Sequence, residues 1–194
     1  MDNVLNFWLG VIVVSTIGTL AHFVYDWSHQ NKIVGMFTAV NESTWEHTKI
    51  ALTPTFLWSL YDGFFYGQNP NYFLAKVSSL FVLIIVIPAI FYSYRAFTKK
   101  SFLIVDIGNF YISIVLSQLV FYVLIMTTSQ PYAVNYLSCL VLFIIFGCYM
   151  TLTLEPLRTF LFKDPISGKY GFYAHRNLLK RRKRTASKKV AKKQ

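Results

Sequence analysis

Long apolar runs constrain this chain more than any other feature. A helix rises about 1.5 Å per residue, so about 20 mostly apolar residues cross the hydrocarbon core of a bilayer. Five segments meet or approach that requirement: residues 4–27, 44–66, 73–97, 103–126 and 133–154. The first has no charge before Asp26, and the second is interrupted by Asp62. The pattern predicts an all-α, polytopic transmembrane helix bundle with about five spanning helices. A soluble domain of 194 residues, 55% hydrophobic and only 14% charged, could not hide this much apolar surface. The first run does not read as a signal peptide. Residues 1–6 carry Asp2 and no Lys or Arg, and the apolar stretch exceeds an h-region.

The net charge of +11 is unevenly placed. Residues 157–194 hold 13 Lys or Arg against one acid, Asp164, whereas residues 1–156 hold six against seven. This division predicts a helix bundle over 1–156, a cytoplasmic juxtamembrane segment over 157–176 and a disordered polybasic tail over 177–194. Basic residues near helix ends mark the cytoplasmic side. Arg95, Lys99 and Lys100 lie between the third and fourth spans, and Lys32 and Lys49 flank the first connection. The connections 67–71 and 127–132 have no Lys or Arg. The expected topology has the N-terminus outside and the C-terminus in the cytoplasm. Lys180, Arg181, Arg182, Lys183 and Arg184 would attract anionic lipid headgroups, at about 1 kcal/mol per basic residue near the surface. Nucleic acid is a poor partner, because no aromatic residues interleave 180–193 to stack bases. Cys139 and Cys148 lie about 13 Å apart on one helix, too far to pair, and read as small buried hydrophobes.

Ionisable residues at membrane depth are costly and tend to be functional. At 100° per residue, Ser15, Gly18, His22, Asp26 and His29 share a stripe within about 60°. His22 and Asp26, one turn apart, can hydrogen-bond directly. Ser43-x-x-Glu46 is a capping-box pattern that starts a helix at Thr44. It accounts for Ser43 and Glu46 but leaves Asn41, Glu42 and His47 unexplained. Trp45 reads as an interfacial anchor. The moderately apolar connection 30–40 could dip into the membrane as a re-entrant turn. His22, Asp26, Glu42, Glu46 and His47 would then converge on the cytoplasmic side. Of these, His22, Asp26, Glu42 and His47 are the candidate ligands of a divalent metal such as zinc or iron. No strict motif such as His-Glu-x-x-His supports that set. Two further stripes should face the bundle interior: Thr44, Thr48, Ala51, Thr55 and Asp62, and Asp106, Asn109, Ser113 and Ser117. Pro54 should kink the second span.

Three blocks, residues 22–27 (HFVYDW), 41–47 (NESTWEH) and 162–171 (FKDPISGKYG), carry a resemblance. Together they resemble a family of small multi-pass bacterial membrane proteins classed as a domain of unknown function, from residue 10 to about 172. The resemblance implies a bacterial cytoplasmic membrane and brings no activity with it. Three readings stay open. In the first, the polar cluster is structural or serves an interaction. In the second, it belongs to a metal-dependent membrane enzyme. In the third, Asp62 and Asp106 line a path in a small transporter or proton relay. A chain of this size fits the last only as a homo-oligomer.

Overall fold

The computed structural model describes residues 3–174. Among them are six helices: α1 (Asn3–Trp27), α2 (Lys32–Phe37), α3 (Thr44–Tyr66), α4 (Tyr72–Thr98), α5 (Leu103–Met126) and α6 (Tyr132–Leu154). No strand is present among the described residues, only an isolated bridge between Lys163 and Tyr170. The expectations placed on residues 175–194, including the polybasic run, lie outside the described residues.

α4 lies against α3, α5 and α6, while α1 packs on α3 and α5. α1, α4, α5 and α6 are each long and apolar enough to cross a membrane. Their outward faces carry bare apolar side chains such as Ile12, Ile85, Ile112, Leu137 and Phe143. Lipid is the solvent that makes such a surface stable, so this is a membrane protein. α3 matches them in length, with 23 residues, but is not among the four. Its low hydropathy comes from charges that point inward: Glu46, Lys49 and Asp62 are all buried. Leu57, Leu60 and Phe64, an i, i+3, i+7 stripe, are exposed on its other side.

The two interior stripes hold. Thr44, Thr48, Ala51, Thr55 and Asp62 are buried on α3, and Asn109, Ser113 and Ser117 on α5. Asn109 donates to the Ile87 carbonyl at 2.9 Å and Ser117 to the Ser79 carbonyl at 2.9 Å, tying α5 to α4. Asp106, half-buried, accepts from the Tyr94 hydroxyl. Pro54 cannot donate to the Ile50 carbonyl one turn back. That carbonyl faces Gly18 of α1, where a Cβ would stand 2.6 Å from it. Only glycine lets the two backbones approach so closely.

One end of the bundle gathers the connections 67–71 and 127–131. Asn71 clamps them, donating to the Leu124 carbonyl at 3.1 Å and accepting from Gln130 N at 2.9 Å. The opposite end is closed by a cap. His29 and Gln30, with φ of 55° and 64°, turn the chain out of α1. Asn31 caps α2 by accepting from Ile33 N at 2.9 Å. The connection 30–40 is therefore a short helix laid on α1, α3 and α6. Residues 160–174 complete the cap, with Phe162, Asp164 and Ala174 buried. This part of the segment expected to lie beside the membrane is folded onto the bundle. Cys139 is half-buried and Cys148 exposed, so they are not the buried hydrophobes expected.

Candidate functional site at the capped end

The segment 41–47 sits where α1, α3 and the chain after α6 meet. Asn41 is a staple: its Nδ2 donates to the Gly171 carbonyl at 3.2 Å, and its Oδ1 accepts from Ser43 N at 2.8 Å. Asp164 fastens the next residue, accepting from Glu42 N at 3.0 Å and from Ser167 N at 2.5 Å. Trp45 N donates to the Leu161 carbonyl at 3.0 Å, and its ring lies 4.9 Å from that of Phe162. Trp45 is buried, not an exposed interfacial anchor, because the returning chain covers it. Tyr25 packs on Phe172 with ring centres 5.8 Å apart. The blocks 22–27, 41–47 and 162–171, far apart in sequence, thus form one structural unit.

Half of the expected capping box is made. Ser43 Oγ accepts from Glu46 N at 3.4 Å. Glu46 does not return to Ser43 N, which Asn41 has taken. It reaches further back and accepts from Val40 N at 2.9 Å. Its carboxylate also lies 2.6 Å from Lys49 Nζ. Lys49 in turn donates to the Gly35 carbonyl at 2.9 Å and to Thr153 Oγ1 at 3.0 Å. A single buried cation thus binds α2, α3 and α6. Lys49, read from sequence as a flanking charge, is wholly interior. Glu46 belongs to this lock and stands apart from the other candidate residues.

His22, Glu42 and His47 do come together. His22 Nε2 stands 3.9 Å from Glu42 Oε1, and His47 Nε2 stands 3.8 Å from Glu42 Oε2. The two imidazole centres are 5.6 Å apart, with planes inclined at 34°. The triangle is partly open: the three side chains are 29%, 41% and 39% exposed. Asp26 is exposed one turn beyond His22 and contributes charge to its surroundings. The direct His22–Asp26 hydrogen bond expected from sequence is not made through Nδ1, which is buried without a hydrogen-bond partner. His22 turns its other nitrogen to Glu42 instead. His29 is exposed beyond the end of α1. Among the described residues, no group of three or more His, Cys, Asp or Glu side chains is placed to hold a metal ion as it stands.

His47 Nδ1 lies 2.9 Å from the Ser43 carbonyl oxygen. A carbonyl can only accept, so Nδ1 carries the proton. Nε2 of a neutral His47 then carries a lone pair and stands 3.8 Å from a Glu42 oxygen. Two electron-rich atoms face each other unless a cation lies between them or Nε2 is itself protonated. A histidine whose second nitrogen donates to a backbone carbonyl is also the usual arrangement of a metal-bound imidazole.

The sequence missed the interior cations. Lys76 on α4 pairs with Asp62 on α3 and lies 3.9 Å over the Phe121 ring. The signal was available: an acid and a base each lie within five residues of the short connection 67–71. Asp62 and Asp106 sit at opposite ends of the bundle, each with a protein partner.

No curated protein and no solved structure matches this chain. The model of a protein family described as "Family of unknown function (DUF6512)" matches residues 3–172, a stretch that takes in α1, the whole bundle and nearly all of the cap. The chain that builds this capped helix bundle therefore belongs to the family of unknown function DUF6512.

Proposed function

We propose that this is a membrane protein that binds a divalent transition metal through His22, Glu42 and His47 at its capped end. The placement of His47 carries the reading: Nδ1 donates to the Ser43 carbonyl and Nε2 stands 3.8 Å from a Glu42 oxygen, where a cation between them would bind both. Zinc bonds of about 2.0–2.1 Å put neighbouring ligand atoms roughly 3.3 Å apart in a four-coordinate site. The gaps of 3.8 and 3.9 Å are too wide for direct hydrogen bonds, and closing each by about half an ångström suits an ion. His22, Glu42 and His47 would hold the ion, and the chemistry it would supply is activation of water at neutral pH. The corresponding chemistry is metal-assisted hydrolysis at the membrane boundary, with partial exposure of the triangle giving access.

Five crossings fit this reading, with α3 as the fifth and Leu57, Leu60 and Phe64 as its lipid stripe. Arg95, Lys99 and Lys100 support a capped end on the cytoplasmic side of a cell membrane, where Lys180–Arg184 would attract anionic headgroups.

A second reading, a structural or interaction role, draws on the dense hydrogen bonding of the neighbouring residues. Asn41, Glu46 and Asp164 all have defined structural partners. Calorimetric titration of the detergent-purified, metal-stripped protein with zinc and with iron(II) separates the two. Metal binding predicts one site per chain, weakened at least tenfold in His22→Ala, Glu42→Gln and His47→Ala. The structural reading predicts no saturable binding and lower melting temperatures in the same variants.

A further inference from the structure

At the end of the bundle away from the cap, the interior between α1, α3, α4 and α5 is unusually polar. Asp62 and Lys76, both essentially unexposed, pair at its centre. The Trp58 indole N–H lies beside Asp62 but meets no regular hydrogen-bond geometry. Gln118 is 1% exposed, and its Oε1 has no hydrogen-bond partner; the same is true of Oδ1 of Asn6, which is 0% exposed. The Tyr122 hydroxyl is likewise buried, beside Tyr66 but without a regular partner. These groups are contiguous. Trp58 and Gln118 converge on Gly10, where a Cβ would stand 2.8 Å from Trp58 Nε1 and 3.0 Å from Gln118 Oε1. Lys76 lies over Phe121, which touches both Tyr66 and Tyr122. Asn6 Nδ2 donates to Tyr66 Oη at 3.0 Å, and Tyr66 donates to Asn3 Oδ1 at 2.9 Å, leading toward the N-terminal end of α1.

A buried polar atom left without a partner costs about 1–3 kcal/mol. Several such atoms in one place, mixing donors and acceptors, are what ordered water satisfies. Tyr149 is the contrast: it is as deeply buried, yet its hydroxyl lies 2.8 Å from Thr53 Oγ1.

We infer that this region is a buried water-binding site, in which ordered water bridges Trp58, Gln118, Asn6 and Tyr122 to the Asp62–Lys76 pair and reaches the N-terminal end of α1 past Tyr66 and Asn3. Gly10 lets Trp58 and Gln118 lie directly against the α1 backbone, where a Cβ would clash with both. The site gives an ion pair inside a membrane bundle contact with exchangeable protons, and it owes nothing to the metal proposed at the other end.

Radiolytic hydroxyl labelling tests it, because bound water delivers radicals to side chains that bulk solvent does not reach. The purified full-length protein in lipid nanodiscs is labelled, with each residue normalised to the unfolded chain. Trp58 and Tyr122 should label at least fivefold faster than Tyr149. Gln118→Leu, which removes one water partner while keeping the volume, should suppress Trp58 labelling at least threefold. If Gln118→Leu does not fold, Asn6→Leu supplies the comparison, since it too removes a buried water partner while keeping the volume. Protection of Trp58 and Tyr122 equal to that of Tyr149 overturns the inference, as does labelling that neither variant changes.

Discussion

Glu42 and Glu46 stand four residues apart, on either side of the start of α3, and have opposite fates. Glu46 is enclosed with Lys49 and Val40 N, while Glu42 is held by its backbone and turns its carboxylate to two imidazoles. Their substitutions should therefore behave oppositely. Glu46→Gln strands the Lys49 charge in the interior, and breaking a buried pair from one side costs about 3–5 kcal/mol. Thermal unfolding in detergent should show a large fall in midpoint, with the zinc affinity of the surviving folded fraction unchanged. Glu42→Gln should leave the midpoint near wild type and remove metal binding. A stable Glu46→Gln protein would mean that Lys49 finds another partner. The capping-box pattern at Ser43 and Glu46 predicted where α3 starts, and it starts at Thr44. The pattern could not show that Glu46 bonds Val40 instead, because that depends on Lys49 reaching the Gly35 carbonyl and Thr153, 14 and 104 residues away. Long-range partners of this kind leave no local trace in a sequence.

At the scale of elements, the close pair is α1 against α3. Gly18→Ala places a methyl group against the Ile50 carbonyl, a backbone atom that α3 cannot easily move. The expected loss is about 1–3 kcal/mol, as for other overpacked contacts, read by denaturant unfolding. An unchanged midpoint would show that the helices slide apart without cost. The segment after α6 makes a second element-scale claim. Asp164 meets the triangle only through the Glu42 backbone N–H, which it holds together with Ser167 N. Asp164→Ala should weaken zinc binding several-fold by freeing the 41–47 turn, and Asp164→Asn should restore part of it. Full affinity in Asp164→Ala would detach the cap from the site. The helices themselves were legible because each long apolar run is bounded by turn residues. The cap was not, because Phe160–Ala174 has no periodicity. It is held by single contacts, such as Trp45 N to Leu161 and Asn41 to Gly171.

For the whole molecule, hydropathy identified the bundle but treated every charge as a defect. The two interior pairs, Glu46–Lys49 and Asp62–Lys76, make α3 look less like a spanning helix, though its outward face is apolar. A charge turned toward the bundle interior is tolerated at membrane depth when it is paired. Reporter fusions test the resulting topology. A fusion at Gln68 should read external and one at Lys99 cytoplasmic; the same side for both would remove one crossing from α4. In the proposed metal site, the blocks 22–27 and 41–47 present His22, Glu42 and His47 to one ion, and the block 162–171 holds them in place. X-ray absorption at the zinc edge of the one-equivalent zinc protein reads those ligands. Two imidazole nitrogens and at least one carboxylate oxygen are expected at about 2.0–2.2 Å, with one imidazole lost in His47→Ala. A spectrum with only solvent-like oxygen neighbours, or one that His47→Ala leaves unchanged, would contradict it.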